Sequence, residues 1–359
     1  MMKKVTATIL SAAMAITMMA CAAAPAAAPA AAPAAAPAAS AEAAAPAEAA
    51  PAAEAPADAI TVKLGFAESE QSKHIIGYRY MCDKITEATE GLVNFELYPS
   101  NSLGSERDLY EGCQLGTVDA CIITNAVLTN FIPEGSVLDQ PFLFDDYDMA
   151  WNFIDGAFGD YLEEKALAGG VRILGWMDSG FRSVYLTKPV SSIEDLKGRK
   201  IRTMENQYHM AAYNALGAIA TPMAFGDVFT GLQQGTIDGA ENTIPSIVAN
   251  NHYEVCKYIC NQPTHFQYQL LVVSQNLWDR IPEKYHEAVL AAVKEGCDYQ
   301  RNILKDSVDE FRDDLQKNQG VTFFDLDLDQ LKTLTQDAMK QFTFDEEALK
   351  LMQDELAKL

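Results

Sequence analysis

The sequence lacks the motifs of the common enzyme classes. It contains no nucleophile elbow, no phosphate-binding loop and no HExxH-type metal motif. Its five histidines show no spacing typical of metal ligands, and we expect them to be structural. Asp238 and Glu241 lie close in the sequence, but nothing indicates an environment suited to acid–base work by such a carboxylate pair. These absences favour a binding protein over an enzyme.

The cysteines also lack the regular spacing of a disulfide-bonded protein. After Cys21, the remaining cysteines are scattered along the chain as Cys82, Cys113, Cys121, Cys256, Cys260 and Cys297. Because they follow no disulfide spacing, we expect most of them to be buried thiols. Cys256 and Cys260 could face one side of a helix, but no second pair of ligands completes a metal site. We therefore expect neither a metal nor a cofactor.

Positive charge is scarce. The chain has 27 Lys+Arg against 50 Asp+Glu, which gives a formal net charge of −23. Such a surface repels nucleic acid and anionic lipid, so a nucleic-acid partner is not expected. An anionic ligand would have to be held by cations placed locally against the general field of the protein.

The apolar stretch near the N-terminus is too short to cross a bilayer as a helix of the folded protein. It covers residues 5–20 and follows two lysines, a pattern typical of a signal peptide over residues 1–20. Its end, Met-Met-Ala-Cys, resembles a bacterial lipoprotein signal in which Cys21 would carry the lipid. Met18 stands where such signals usually have Leu, so ordinary cleavage just before Cys21 is the alternative.

Residues 21–59 are expected to form a tether. They are almost purely Ala and Pro with a little Glu, and they offer no periodic apolar face to bury. Frequent Pro keeps such a segment extended and blocks a continuous helix. We therefore expect an extracytoplasmic protein, in the periplasm or on the outer face of the cell membrane, held there by a lipid anchor.

The globular part, residues 60–359, alternates strand and helix signals. Residues 61–67 and 92–98 have strand patterns, and residues 72–89 between them have one apolar helical face. This βαβ order predicts an α/β fold with a largely parallel sheet. Residues 283–318 have the spacing of a long helix, which could brace two lobes or pack within one.

Two segments form a weak internal repeat. Residues 108–119 and 227–238 match at both terminal Asp positions and at an internal Gly, Gln, Gly and Thr. Each copy predicts a helix closed by a glycine, Gly116 or Gly235, and then a turn into a short strand. Chance similarity of such junctions is the alternative. A true repeat would mean two similar α/β lobes with a ligand cleft between them.

Residues 180–242 carry a family resemblance. They contain DLKGRKIR, ALGA and TPMAFGDVFTGLQQGTIDGAEN in that order. These motifs closely resemble the extracytoplasmic solute-binding subunits of TRAP transporters, the DctP family, and weaker similarity covers the whole globular part. The resemblance implies a two-lobed fold like that of periplasmic binding proteins, with a ligand cleft between the lobes and a long helix bracing both. Lobe I would hold residues 60–180 with roughly 268–307, and lobe II residues 181–267 with roughly 308–359.

The same resemblance implies a carboxylate site. Arg202 matches the arginine that pairs with the substrate carboxylate, and Arg182 matches a second cleft arginine of many members. Asn242 matches an asparagine that binds the same carboxylate, and Phe225 an aromatic that packs on the ligand's carbon skeleton. A guanidinium suits this role because its planar fork of donors can meet both carboxylate oxygens. The first lobe would contribute residues near Glu68, Ser69, Thr124 and Asn125.

Structural roles stay open for several of these side chains. Arg202 could instead form a surface ion pair with Glu205, and Asn242 could cap a helix. Phe225 could belong to the core. Asn206 is a natural N-cap for a helix beside Arg202, and the backbone donors of that helix end would favour an anion.

These observations together predict a receptor that performs no catalysis. It would capture a small organic acid, either a sugar acid or a dicarboxylate, by hinge closure. The resemblance implies delivery to the small and large membrane subunits of an ion-gradient-driven permease, and we expect a monomer. One alternative is a lipid-anchored subunit that presents the ligand to a signalling receptor. Another is a hydrolase or isomerase that works in the same cleft.

Overall fold

The computed structural model describes Pro56 and residues 58–359. The predicted signal peptide, Cys21 and nearly all of the predicted tether lie outside these described residues. Within the described part of the chain, no helix is both long and apolar enough to cross a membrane.

Ten strands and twelve α-helices build the described body. The strands are β1 (Ile60–Gly65), β2 (Val93–Tyr98), β3 (Ala120–Thr124), β4 (Val171–Leu186), β5 (Lys200–Thr203), β6 (Ile219–Pro222), β7 (Gly239–Thr243), β8 (Tyr258–Cys260), β9 (His265–Ser274) and β10 (Thr322–Phe324). The helices are α1 (Lys73–Ala88), α2 (Glu106–Leu115), α3 (Asn125–Leu128), α4 (Tyr147–Ile154), α5 (Ala157–Ala168), α6 (Gln207–Ala215), α7 (Val228–Gln233), α8 (Ile244–Ala249), α9 (Gln275–Arg280), α10 (His286–Lys317), α11 (Leu328–Met339) and α12 (Glu346–Leu356). Short 3₁₀ turns cover Pro133–Asp139, Ile193–Leu196, Phe225–Asp227, His252–Glu254 and Glu283–Tyr285.

All ten strands belong to one sheet. Its main path runs β2-β1-β3-β9-β4-β7-β5-β6, and β8 and β10 extend from β4 beside that path. The outer groups pair in parallel, as β1 does with β2 and β3, and β5 with β6 and β7. The central pairs of β4 with β9 and β7, and of β3 with β9, are antiparallel. The expectation of a largely parallel sheet was therefore wrong, because two long antiparallel strands join the parallel groups.

The sheet carries separate hydrophobic cores at its two ends. At the β1–β3 end, one core contains Tyr78 and Val293, and another contains Phe153. At the β5–β7 end, Leu186 and Tyr185 lie in different cores. Successive side chains of a strand point to opposite faces of its sheet, which is why β4 supplies neighbouring residues to two cores. The predicted two-lobed arrangement is confirmed.

The long helix α10 packs against both ends of the sheet. Val289, Val293 and Cys297 lie in the core that contains β1, whereas Leu315 lies in the core that contains β7. Between these contacts, the Gln300 side chain holds the backbone of Asp178 on β4, accepting from its N–H at 2.9 Å and donating to its carbonyl at 2.7 Å. The prediction that this helix braces both lobes is confirmed.

The internal repeat corresponds to two similar units. In the first, α2 ends before Gly116, which has φ of 71°, and the chain continues into β3. In the second, α7 leads through Gly235, with φ of 69°, into β7. Only a residue without Cβ adopts such a φ at little cost, which explains both glycines.

Two details of the chain differ from expectation or stay open. Cys256 and Cys260 do not share a helix, because Cys260 lies in β8 and Cys256 in the connection before it. Both are buried free thiols. The assignment of residues 308–359 to the second lobe stays a prediction, and α12 within this range packs its Ala348 into the core that contains Phe153.

Candidate functional site

Neighbouring strands bring the predicted cations together. β7 pairs with β4 on one side and with β5 on the other, so Arg182 lies opposite Thr243 and Arg202 opposite Ala240. A small cleft of about 270 Å³ lies at this point. Its lining consists of Glu68, Glu106, Thr124, Ser179, Arg182, Arg202, Met204, Phe225, Asn242 and Gln267.

Arg182 has a full set of partners. Its side chain is buried, and its Nε pairs with Oε2 of Glu241. Its Nη1 donates to Oδ1 of Asn242 at 2.9 Å and to Gln267, and its Nη2 donates to the Glu241 carbonyl at 2.6 Å. Burial alone would raise the pKa of Glu241, but Arg182 and His209 outweigh this and hold that pKa well below its usual range. The charge of Arg182 is therefore neutralised within the protein.

Arg202 is different, because no carboxylate of the described residues pairs with it. It is 3% exposed. Its Nε and Nη2 both donate to the Met223 carbonyl, at 2.9 and 2.6 Å, and its Nη1 makes no hydrogen bond with a described residue. Within residues 58–359, no carboxylate oxygen lies within the 4.0 Å limit for a salt bridge with it. Burial lowers the pKa of Arg202, with Glu241 as the largest opposing influence. The alternative of a surface ion pair with Glu205 was wrong.

Asn242 and Phe225 complete the wall that carries the arginines. Asn242 is buried, and its Oδ1 accepts from Arg182 and from the Thr243 N–H at 2.8 Å. The Phe225 ring is half-buried, and Cζ of Arg202 lies 5.9 Å from its centroid. Phe225 therefore both packs against the adjacent core and faces the cleft.

The opposite wall is acidic. Glu68 is buried, and its Oε1 accepts from Ser246 and Gln269, both at 3.2 Å. Its Oε2 has no hydrogen-bond partner among residues 58–359, and Nδ1 of His74 lies 3.9 Å from it. Glu106 accepts from the N–H and the hydroxyl of Thr124 with one oxygen, at 2.8 Å each. Burial raises the pKa of Glu106, and the bonds from Thr124 partly offset the effect. This wall offers hydrogen-bond acceptors and negative charge.

Two predicted residues of the first lobe do not line the cleft. Asn125 turns into the protein, where its side chain donates to Asp139 at 3.0 Å and accepts from the Tyr268 N–H at 2.9 Å. Ser69 donates to the Ala249 carbonyl on α8 at 2.8 Å. It thus joins the two sides of the cleft without reaching its interior.

Sequence reasoning missed Glu106, Ser179, Met204 and Gln267. The internal repeat could have found Glu106, because the spacing of 119 residues between the two copies makes Glu106 the counterpart of Phe225. Gln267 follows only from the pairing of β9 with β4, which places it opposite Gly180. No local pattern indicates that pairing.

Larger depressions exist elsewhere on the described surface. One of about 600 Å³ lies beside Phe142, His265 and Leu328, and Lys332 is the only Lys or Arg that lines it. The smaller cleft is the better ligand site, because it combines a buried unpaired cation with convergent polar groups. No group of three or more His, Cys, Asp or Glu suited to a metal ion occurs in the part of the chain that the structure describes.

Comparisons with known proteins agree with this geometry. Residues 65–346 match the DctP family model, described as bacterial extracellular solute-binding protein, family 7. A solute-binding protein of Verminephrobacter eiseniae is 33% identical over 242 residues, covering 67% of this chain and 72% of that protein. The 2,3-diketo-L-gulonate-binding periplasmic protein YiaO of Escherichia coli is 29% identical, covering 75% and 82%.

Solved structures extend the likeness to the fold. A TRAP periplasmic solute-binding protein of Polaromonas sp. JS666, bound to D-erythronate, has a TM-score of 0.79 and 32% identity, covering 83% of this chain and 98% of its own. One from Xanthobacter autotrophicus Py2, with bound β-D-galacturonate, has a TM-score of 0.79 and 30% identity, covering 82% and 99%. The chain belongs to this family, the solute-binding subunits of TRAP transporters.

Proposed function

We propose that the protein is an extracytoplasmic receptor that captures a sugar acid by pairing the ligand's carboxylate with Arg202, then delivers it to a TRAP permease. The observation that carries this proposal is the buried Arg202 guanidinium with no carboxylate partner among the described residues. An unpaired buried cation costs free energy, and a ligand carboxylate would remove that cost. Nη1, which has no acceptor among the described residues, supplies a donor for it.

The acidic wall favours one carboxylate over two. Arg182 is already paired with Glu241, so a second ligand carboxylate would face Glu68 and Glu106 instead of a free cation. Hydroxyl groups, in contrast, can donate to these acceptors, and Oε2 of Glu68 has no hydrogen-bond partner within the described part of the chain. The site therefore suits a polyhydroxylated monocarboxylate better than a dicarboxylate.

The ligands of similar proteins agree with this choice. The Polaromonas and Xanthobacter proteins were solved with D-erythronate and β-D-galacturonate, and a Citrobacter koseri protein with D-glucuronate. Each of these is a sugar acid. They support a sugar acid here, whereas nothing in the comparisons supports the alternative of a sensing subunit.

Capture would work by closure of the cleft. The two walls belong to different ends of the sheet, so a ligand held between Arg202 and Glu68 bridges them. Such a ligand stabilises the closed form by contacts that the open form cannot make, and the permease would recognise the closed form. No bond of the ligand changes, and the protein acts as a receptor rather than an enzyme.

The lipid anchor that we propose rests on the N-terminal sequence. A lipid on Cys21 and a Pro-rich tether would keep a monomeric receptor near its permease in the extracytoplasmic space. Mass analysis of the N-terminal peptide from membranes tests the anchor. A diacylglyceryl-modified Cys21 is expected, and an unmodified N-terminus would exclude lipidation.

Isothermal titration with a panel of acids tests the function. D-glucuronate, D-galacturonate and D-erythronate are compared with succinate, and recovery of the unchanged acid from the complex tests for turnover. Arg202→Ala is expected to lose binding. The control Arg79→Ala removes an exposed arginine whose partner is Glu70 and should bind normally. Equal binding by Arg202→Ala, or binding of succinate alone, would contradict the proposal.

A further inference from the structure

A buried cluster of charged side chains lies behind the wall that carries the arginines. His209 on α6 is 1% exposed and sits between two carboxylates. Its Nε2 is 3.8 Å from Oδ1 of Asp139, and its Nδ1 is 3.6 Å from Oε1 of Glu241. The other carboxylate oxygen of Glu241 pairs with Arg182. Glu241 thus lies between His209 and the cleft arginine Arg182.

Hydrogen-bonding capacity favours the doubly protonated ring. His209 Nδ1 and Glu241 Oε1 are both buried, and neither has a hydrogen-bond partner among the described residues. A neutral imidazole has a single N–H and can serve only one of the two carboxylates, whereas an imidazolium has two. Both nitrogen–oxygen distances exceed a hydrogen bond by a few tenths of an ångström, and at these distances an imidazolium attracts both carboxylates by its charge.

The charges of the cluster favour the same form. With neutral His209, the buried Asp139 carboxylate has no cation beside it among the described residues, whereas Glu241 is already paired with Arg182. Protonation of His209 supplies that cation, which lowers the cost of burying the Asp139 charge. His209 is the only cationic candidate within 4.0 Å of Asp139 among the described residues. The other partners of Asp139 are neutral donors at 2.7–3.0 Å, namely Asn125, Thr129 and Asn206.

The remaining charged neighbours do not reverse this balance. His265 from β9 stacks on His209 with ring centroids 4.1 Å apart. Burial and the proximity of His209 hold the pKa of His265 well below its usual range, so His265 stays neutral. Arg182 from β4 pairs with Glu241, and Arg202 from β5 is a second cation that Glu241 influences. For His209 itself, burial lowers the pKa, but the hydrogen bonds and charges of Asp139 and Glu241 prevail and raise it overall.

We propose that His209 is a protonated bridge between Asp139 and Glu241 and positions Arg182 through Glu241. The relevance of Arg182 to ligand binding rests on the proposed function, whereas the protonated bridge does not. The bridge also joins the two ends of the sheet. The side chain of Asn206, which caps α6, donates to the Ala126 carbonyl at 2.9 Å and to Asp139 at 2.7 Å.

Because the pKa of His209 is raised, the stability of the fold should depend on pH. A group with a raised folded pKa stabilises the fold fully below its unfolded pKa, which is about 6.5 for histidine. This stabilisation is lost as the pH rises through the folded pKa. Above that pH, Glu241 loses the charge of the neighbouring His209, and the orientation of Arg182 is less well defined.

Nuclear magnetic resonance titration of the ligand-free protein tests the bridge. Ring resonances of His209, assigned by their loss in His209→Gln, are followed from about pH 5 to about pH 9, either side of the ordinary pKa near 6.5. We expect a midpoint above that value and the shifts of an imidazolium below the midpoint. The Arg182 Nε–H resonance, assigned with Arg182→Lys, should follow the same midpoint and become flat in His209→Gln.

Two variants sharpen the test. Asp139→Asn removes one carboxylate and should move the His209 midpoint down by about one pH unit or more. His286→Gln is the control, because His286 lies at the start of α10 against Trp278, far along the chain from the cluster. It should leave the midpoint unchanged. A midpoint of His209 below about 6.5 in the wild type would overturn the proposal even if a variant failed to fold. Failure to bind any acid would refute the proposed function but leave this result intact.

Discussion

Replacing each arginine of the cleft by methionine should separate ligand binding from stability. Arg202 has no carboxylate partner in the part of the chain that the structure describes, so Arg202→Met removes a buried cation without a counter-ion. The same change also removes two hydrogen bonds to the Met223 carbonyl. These effects oppose each other, and the free energy of unfolding should change by at most about 1 kcal/mol. Binding of the ligand carboxylate should weaken by about 2–5 kcal/mol. At about 1.4 kcal/mol per factor of ten, the dissociation constant would rise between roughly thirtyfold and a few thousandfold.

Arg182→Met should behave in the opposite way. It removes the cation that pairs with Oε2 of the fully buried Glu241 carboxylate, which should destabilise the ligand-free protein by about 3–5 kcal/mol. Urea unfolding of both ligand-free variants measures stability, and titration with D-glucuronate measures affinity. The reasoning would be refuted if Arg202→Met destabilised the protein as much as Arg182→Met, or if Arg202→Met bound the acid normally.

Three further predictions concern the charges and thiols around the site. Burial would raise the pKa of Glu241, but Arg182 and His209 lower it overall. The ionised Glu241 carboxylate therefore stabilises the fold above its unfolded pKa of about 4.3, and this stabilisation is lost as the pH falls toward the folded pKa. Glu241→Gln should therefore flatten the acid limb of urea unfolding, and an unchanged limb would speak against the pair. Glu68→Gln should raise the affinity for succinate relative to D-glucuronate in parallel titrations, and an unaltered ratio would remove the acidic wall as a selectivity element. The six described cysteines are all buried, and burial raises the pKa of Cys256 and of Cys297 to about 12. All six should therefore resist a water-soluble thiol reagent until the protein unfolds. Fast labelling of any of them in the native protein would contradict their burial.

Local sequence patterns predicted the elements that carry the site. The predicted strand, helix and strand over residues 61–67, 72–89 and 92–98 match β1, α1 and β2 within one or two residues. They could be predicted because each pattern depends on short-range spacing alone. Asn206 caps α6 as expected, since its side chain accepts from the N–H groups of Tyr208 and His209. The family motifs also identified four residues that line one wall of the cleft, Arg182, Arg202, Phe225 and Asn242.

Long-range pairing accounts for what the sequence could not predict. In the sequence, Glu241 lies close to Asp238, and local spacing indicates no other partner for it. The antiparallel contact of β7 with β4 makes it the counter-ion of Arg182. Asn125 follows the last residue of β3, yet its side chain turns toward Asp139 and Tyr268 instead of the cleft. Side-chain direction at a strand end depends on the elements packed around it, and these are distant in the sequence.

A crystal structure of the complex with the acid that binds most tightly in the titration panel tests the central claim most directly. The ligand carboxylate should lie about 2.7–2.9 Å from the Arg202 guanidinium, with hydroxyl groups donating toward Glu68 and Glu106. A carboxylate held elsewhere in the cleft, with Arg202 still bound only to the Met223 carbonyl, would contradict the account.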